Sequence, residues 1–451
     1  MADLPLEEAG EAGLALAPAE PRTVEETGLP ESLLSALALK HLYQGGLDSG
    51  LQIAQEMRLP WGGVMDGVFD FLAQEQYVEL RGGKGFGRAS VTFTLTTKGR
   101  EAARDAMNRS AYVGPAPVPL SQYSAQVVAQ STVPQRIDRQ SLLLSTSHLV
   151  FDQSLLDDLG PALSSARALF LFGEPGNGKT ALAEALAQSL GGAVVVPHAI
   201  EVDGQVIVVH DRAWHIPVEE PEGAYDRRWV ACRRPFLVVG GELTLEMLDL
   251  AHDESTNVYE APCHLKANGG MLLVDDFGRQ KVAAREMLNR WIIPLEKRVD
   301  LLSLRTGRKF EVPMEEIVLF STNLDPQDLV DEAFLRRIKY KVHLGDPDEA
   351  SFREIFRRLC ESQGIAHDPR MVDWLLEHVY RRERRPLRAC HPRDLLQISS
   401  DIAAFQGVEP DLTPSLLDQA CRLYFAAQPV ELPAATPFVG PDAPTPPPGR
   451  R

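Results

Sequence analysis

The chain is poor in cysteine, in aromatic side chains and in basic charge, and it contains no long apolar run. Five cysteines occur among 451 residues: Cys232, Cys263, Cys360, Cys390 and Cys421. They are scattered and form no C-x-x-C pair. That pattern argues against a disulfide framework or a zinc cluster, and it fits a reducing, cytoplasmic setting. No apolar stretch approaches the roughly 20 residues that a bilayer-spanning helix needs, so no membrane insertion is expected. The N-terminus is acidic and lacks the basic-then-apolar pattern of a signal peptide. Lys and Arg number 46 against 63 Asp and Glu, a formal charge of −17. Such a surface disfavours nonspecific attraction to nucleic acid or to anionic membrane. No internal repeat of solenoid period is visible.

What remains is the composition of a globular protein with ample core-forming residues, 44% of them hydrophobic, in a chain long enough for two or three domains. Residues 1–28, rich in Ala, Glu and Pro, read as a disordered acidic tail. A compact segment follows at 29–110. Residues 111–135 hold Pro115, Pro117, Pro119 and Pro134 among many Ser and Gln, and read as a linker. Globular sequence then runs through 136–346 and a helical region at 347–427. The Pro-rich end, 428–451, reads as disordered.

Within 29–110, helical spacing places a first helix at 33–42. A second follows Ser49, and a third, at 62–75, comes after the turn Pro60-Trp61-Gly62. Alternation in Val91, Phe93 and Leu95 marks a strand that pairs with 77–80 around a glycine-rich tip at 81–88. This order resembles a winged helix-turn-helix domain. Such domains often bind DNA, yet the third helix carries Asp66, Asp70 and Glu75 and no Lys or Arg. Phosphate contacts dominate DNA affinity, so this helix is poorly equipped to read a groove. Arg81, Lys84 and Arg88 at the wing tip point the other way. The charge favours a protein partner over DNA.

The richest stretch is Gly173-Glu174-Pro175-Gly176-Asn177-Gly178-Lys179-Thr180, which fits G-x-x-x-x-G-K-[ST] between an apolar run at 168–172 and a helix-forming run that starts at Ala181. The glycines let backbone N–H groups turn toward phosphate oxygens, and the helix N-terminus adds partial positive charge. Lys179 is suited to the β- and γ-phosphates of ATP and Thr180 to Mg²⁺. Further on, Met271-Leu272-Leu273-Val274 runs into Asp275 and Asp276. A second apolar strand, at 317–322, ends at Asn323. Arg336 and Arg337 follow a short helix at 331–335, and His391-Pro392-Arg393 opens a helix. Asp275 is the expected Mg²⁺ partner, and Asp276 the group that orients the attacking water.

Taken in this order, these motifs resemble the AAA+ ATPase family over about residues 136–427. The resemblance implies an α/β fold: a P-loop NTPase core with a parallel sheet plus a C-terminal helical lid, here preceded by the winged helix-turn-helix domain. It also implies roles. Asn323 matches sensor 1, Arg336 and Arg337 the arginine-finger position that completes a neighbouring subunit's site, and Arg393 sensor 2. A finger in trans implies a homo-oligomeric ring, usually a hexamer. The family usually has Asp-Glu where this chain has Asp275-Asp276. Aspartate is one methylene shorter, so its carboxylate sits about 1.5 Å further back; either hydrolysis is slow, or the loop compensates, or the two carboxylates swap some duties.

The run Lys266-Ala267-Asn268-Gly269-Gly270 before the carboxylate strand is similar to AAA+ proteins with a β-hairpin before sensor 1. Residues 298–312, with Thr306-Gly307 as the turn, read as that hairpin, which faces the pore in such rings. The long stretch between the phosphate loop and Asp275 reads as an insertion, either a partner-contacting one or structural padding. The combination resembles bacterial chaperone-like ATPases. Three functions are therefore on the table: a protein-remodelling ring ATPase, a DNA-associated regulator or loader, and a nucleotide-gated scaffold that barely hydrolyses.

Overall fold

Apolar runs without polar alternation make strands buried on both faces, as in parallel sheets. In the computed structural model these runs do pair that way. The structure describes residues 17–44, 49–81, 91–131, 137–165, 168–219, 223–329, 335–409 and 411–425. It divides into two compact units, Met1–Gly345 and Asp346–Arg451.

The first unit opens with helices Glu31–Gln44, Gly50–Glu56 and Asp66–Gln74. The hairpin strands β1 (Val78–Arg81) and β2 (Thr92–Leu95) and helix Thr97–Arg109 follow. Leu34, Ile53, Val64, Val68, Phe69 and Phe93 fill its core, with the rings of Phe69 and Phe93 4.3 Å apart. Lys84 and Arg88 of the wing tip lie outside the described residues. The turn into the third helix needs glycine at Gly63, where φ is 82° and an added Cβ would meet the Arg22 carbonyl oxygen at 2.1 Å. The Arg22 backbone thus lies directly against this turn, and residues 17–28, which the sequence alone reads as part of a tail, are built into the unit. Ala19 also forms a β-bridge with Tyr225, and Thr27 is buried.

Residues 111–131 of the segment read as a linker are likewise built in, while 132–135 lie outside the described residues. The segment supplies strand β3 (Val118–Pro119) and helix Leu120–Ala129. Val118, Tyr123 and Val127 are buried, and β3 is an edge strand, where proline costs no ladder bond.

Strand β4 (Leu169–Phe172) leads into the glycine-rich loop and helix Lys179–Ser189. Next come β5 (Ala193–Pro197), β6 (Ala199–Val202), β7 (Gln205–Val208), β8 (Trp229–Arg233) and β9 (Phe236–Val239). After them follow β10 (Ala251–Asp253), β11 (Val258–Glu260), β12 (Met271–Val274), β13 (Val299–Ser303), β14 (Lys309–Pro313), β15 (Ile317–Thr322) and β16 (Tyr340–His343). The central sheet has the order β16-β4-β15-β12-β9, and every pairing in it is parallel. The chain is thus an α/β protein with a five-stranded parallel sheet.

The insertion is organised around its own core. A second sheet runs β10-β11-β7-β6-β3, and β5 pairs with β8. The hairpin β13–β14 joins this core through Leu302, Leu304, Phe310 and Val312, while Leu301 on its other face is 44% exposed. Asn268, from the Ala-Asn-Gly-Gly run, clamps the hairpin base. Its amide donates to the Pro313 carbonyl and the Tyr123 hydroxyl, each at 3.0 Å, and its oxygen accepts the Glu315 N–H at 2.7 Å.

The second unit is helical: Glu349–Gln363, Pro369–Leu375 continuing as a wide turn to Arg381, Cys390–Gln406 and Pro414–Phe425. Phe352, Phe356, Leu375, Leu395, Leu396 and Leu417 are fully buried within it. No helix among the described residues is long and apolar enough to cross a membrane.

Candidate phosphate-binding and carboxylate site

Parallel register decides which strand ends meet. Thr322 of β15 pairs with Phe172 of β4, and Phe320 pairs with Val274 of β12. The next residues along each strand are Asn323, Gly173 and Asp275, so all three emerge at the carboxyl edge of the sheet. That edge is where α/β proteins bind ligands.

The loop from Gly173 to Gly178 has the backbone its glycines predict, with φ of 145°, 86° and 90° at Gly173, Gly176 and Gly178. A Cβ at Gly173 would lie 2.2 Å from the Leu344 carbonyl oxygen, so only glycine lets the loop pass beside the end of β16. Gly178 precedes the helix and supplies no side-chain cap, so its position leaves the first N–H groups to an external acceptor. Glu174, Pro175 and Gly176 are exposed, Asn177 is buried, and Ala181 lies in the first turn of the helix.

Lys179 is only 7% exposed. Its ammonium donates to the carbonyls of Gly173 at 2.8 Å and Glu174 at 3.0 Å, and to Asn323 Oδ1 at 2.6 Å. The amide nitrogen of Asn323 in turn donates to Asp276 Oδ1 at 3.0 Å. Asn323 therefore ties the phosphate-loop lysine to the second carboxylate. Alongside, Thr180 Oγ1 donates to Asp275 Oδ2 at 2.7 Å. A hydroxyl beside one carboxylate is an oxygen donor set suited to Mg²⁺, which binds through one or two carboxylates together with substrate phosphates and water.

Asp276 is exposed and adopts a left-handed backbone, φ 49°. Its N–H donates to Asp275 Oδ1 at 3.0 Å. Gln280, which sequence reasoning did not single out, donates from Nε2 to the carbonyls of Asp275 at 3.1 Å and Asp276 at 3.3 Å. Its Oε1 accepts the Gly278 N–H at 2.8 Å. No motif marks such a residue; only the turn geometry does.

The arginines are not equivalent. Residues 331–334, the start of the expected short helix, lie outside the described residues. Arg336 is exposed and has no ion pair among the described residues, whereas Arg337 is paired through Nε with Glu296 of helix Ala284–Lys297. Arg393 belongs to the second unit, in the first turn of helix Cys390–Gln406. Its side chain is 66% exposed, and Nε lies 2.9 Å from Asp394 Oδ1. Much of the neighbouring basic run is engaged within that unit. Arg381 binds Glu349 and Glu377, Arg388 binds Asp346, and Arg385 pairs with Glu383 while stacking over Phe425.

The family model that matches the chain is a domain of unknown function (DUF8689), over residues 348–423. No curated protein matches the sequence. Among solved structures, NtrX from Brucella abortus is similar at 17% identity and a TM-score of 0.39, over 64% of this chain and 58% of that one. The chain thus spans less than two thirds of NtrX. Thermotoga maritima RuvB, a Holliday junction branch migration motor, is similar at 14% identity and a TM-score of 0.35, over 61% of this chain and 70% of its own. Both likenesses are distant, and the side chains themselves carry the functional reading below.

Proposed function

We propose that the chain is an AAA+ ATPase that binds and hydrolyses ATP as a homo-oligomeric ring and remodels or assembles a protein client. The observation that supports this most is the run of contacts Asp276–Asn323–Lys179 beside Thr180–Asp275, gathered from three neighbouring strand ends.

In this reading the backbone of residues 173–181 and the Lys179 ammonium bind the triphosphate. Thr180 and Asp275 hold Mg²⁺, which supplies positive charge against the phosphates. Asp276 orients the attacking water, and Asn323 keeps it in register with Lys179. Arg393 serves as the lid arginine toward the γ-phosphate, and Arg336 or Arg337 completes the site of a neighbouring subunit.

The N-terminal module is read as a winged helix that recruits the client. The exposed positions of helix Asp66–Gln74 include Gly67, Asp70 and Gln74, and the helix has no basic residue. That surface suits a protein partner better than a phosphate backbone.

Phosphate release by the full-length chain with Mg²⁺ and ATP tests the enzymatic reading. Lys179→Ala is expected to abolish nucleotide binding and turnover; wild-type turnover no higher than that variant's would refute it. An Asp276→Asn chain, holding ATP, is expected to retain the protein client in a pull-down. Salt-sensitive duplex DNA binding in the micromolar range or tighter by the full chain, at physiological salt, would move the client from protein to DNA.

A further inference from the structure

We infer that Gln280 is a positioning residue for hydrolysis: it holds the turn after β12 so that the shortened carboxylate at Asp276 faces Asn323. The inference rests on the ATPase reading above.

The turn is pinned at both ends by backbone bonds. Asp275 N–H donates to the Val239 carbonyl at 2.7 Å, and Phe277 N–H to the Ser321 carbonyl at 2.7 Å. Thr322 Oγ1 holds the Phe277 carbonyl at 2.8 Å. Between these anchors lies the peptide plane joining Asp275 to Asp276. Its N–H is held by the Asp275 carboxylate and its carbonyl by Gln280 Nε2. The same nitrogen reaches the Asp276 carbonyl, which the Arg279 N–H also bonds at 3.0 Å. Gln280 Oε1 closes the ring at Gly278 N–H. One side chain therefore ties three peptide groups of a single turn.

The tie matters because of the backbone it supports. A non-glycine residue with φ of 49° is uncommon, and short polar residues tolerate that region best. Such conformations persist where their surroundings over-determine them. Rotating the 275–276 peptide plane toward a right-handed conformation would swing the Asp276 Cα–Cβ bond away from Asn323 and break the 3.0 Å contact. The geometry thus accounts for aspartate at this position. Asp tolerates the left-handed turn, and the turn delivers its carboxylate to Asn323 without the extra methylene of Glu.

The test measures kcat and nucleotide affinity on the full-length chain. Gln280→Ala is expected to lower kcat about 10- to 100-fold, since a misplacement near 1 Å can cost about two decades, while nucleotide Kd stays within about twofold. Gln280→Glu keeps the acceptor for Gly278 but sets carboxylate oxygen against two carbonyls, so it is expected to lose turnover similarly. On an Asp276→Asn background, Gln280→Ala is expected to add no further loss, because both changes act through one carboxylate.

Wild-type turnover with Gln280→Ala kcat within twofold of it overturns the role of Gln280 alone. Additive losses in the double variant, or nucleotide binding lost in Gln280→Ala, assign the residue to general fold maintenance and also overturn it. Absent wild-type hydrolysis removes the ATPase reading and this role together.

Discussion

Arg228 offers the sharpest test of how the first unit is assembled. The residue is 1% exposed. Its guanidinium is bidentate to Asp226, whose side chain is 3% exposed, with the shortest contact at 2.7 Å. It also donates to the Thr27 carbonyl at 2.9 Å, the Pro117 carbonyl at 3.1 Å and Gln122 Oε1 at 3.3 Å. One cation thus joins the N-terminal segment, the Pro-rich stretch before β3 and the insertion. Arg228→Met removes the partner of a buried carboxylate, a change that costs about 3–5 kcal/mol. At about 2 °C per kcal/mol for a large domain, the melting temperature of this unit should fall by roughly 6–10 °C. Hydrogen exchange should quicken at Leu29 and along helix Leu120–Ala129. The double variant Arg228→Met with Asp226→Leu should recover most of the loss, because an apolar pair replaces the ion pair without stranding a charge. Thermal unfolding followed by circular dichroism measures both. A loss under about 1 kcal/mol in the single variant, which is the value of an exposed pair, would refute the reading of Arg228 as a buried staple.

Other expectations follow from the same structure. Arg336→Ala should cut turnover of the assembled ring on the scale of a lost arginine finger, about 10³-fold or more, and more than Arg337→Ala, whose side chain is engaged by Glu296. Partial rescue on mixing with Asp276→Asn chains checks action in trans, and equal losses for the two arginines would contradict the ranking. Burial, helped by neighbouring charge, lowers His198 and His210 to about 4. The unfolded chain takes up those protons between about pH 6.5 and 4 while the folded chain refuses them, so stability falls as pH falls through that window. Replacing both by Gln should flatten the slope in urea midpoints. Glu316 is fully buried, its two oxygens have no hydrogen-bond partner among the described residues, and burial raises its carboxyl well above the ordinary range. The folded state keeps a proton that the unfolded chain releases above the ordinary Glu range, so this group costs stability as pH rises there. Glu316→Met should remove that dependence and stabilise by about 1–3 kcal/mol at neutral pH, read from the same midpoints.

Much of the candidate site was legible because its signals are local. Strand, glycine loop and helix lie within about twenty residues around Lys179. The carboxylates directly follow an apolar strand, and Asn323 directly follows another. Residues 111–131 read as linker because Pro, Ser and Gln are frequent there and the apolar residues follow no sustained period. Val118, Tyr123 and Val127 are buried because the second sheet and its neighbours lie against them. Residues 17–28 read as a tail for a similar reason: the Arg22 carbonyl lies against Gly63 and the Thr27 carbonyl accepts from Arg228, both far along the chain.

By itself, then, the sequence determined the chemistry of the loop. Gly173, Gly176 and Gly178 permit positive φ, and Lys179 and Thr180 sit where a helix begins, all through contacts between near neighbours. Only the tertiary structure decided the site as a whole. Lys179 meets Asn323 across 144 residues and Thr180 meets Asp275 across 95, and both meetings depend on the register of parallel strands that no local pattern encodes. The same holds for Gln280 bonded to the carbonyls of Asp275 and Asp276, for Arg228 at the junction of three segments, and for the difference between Arg336, with no ion pair among the described residues, and Arg337, engaged by Glu296. Each is set by which backbone or side chain the fold brings alongside, and packing alone makes that choice.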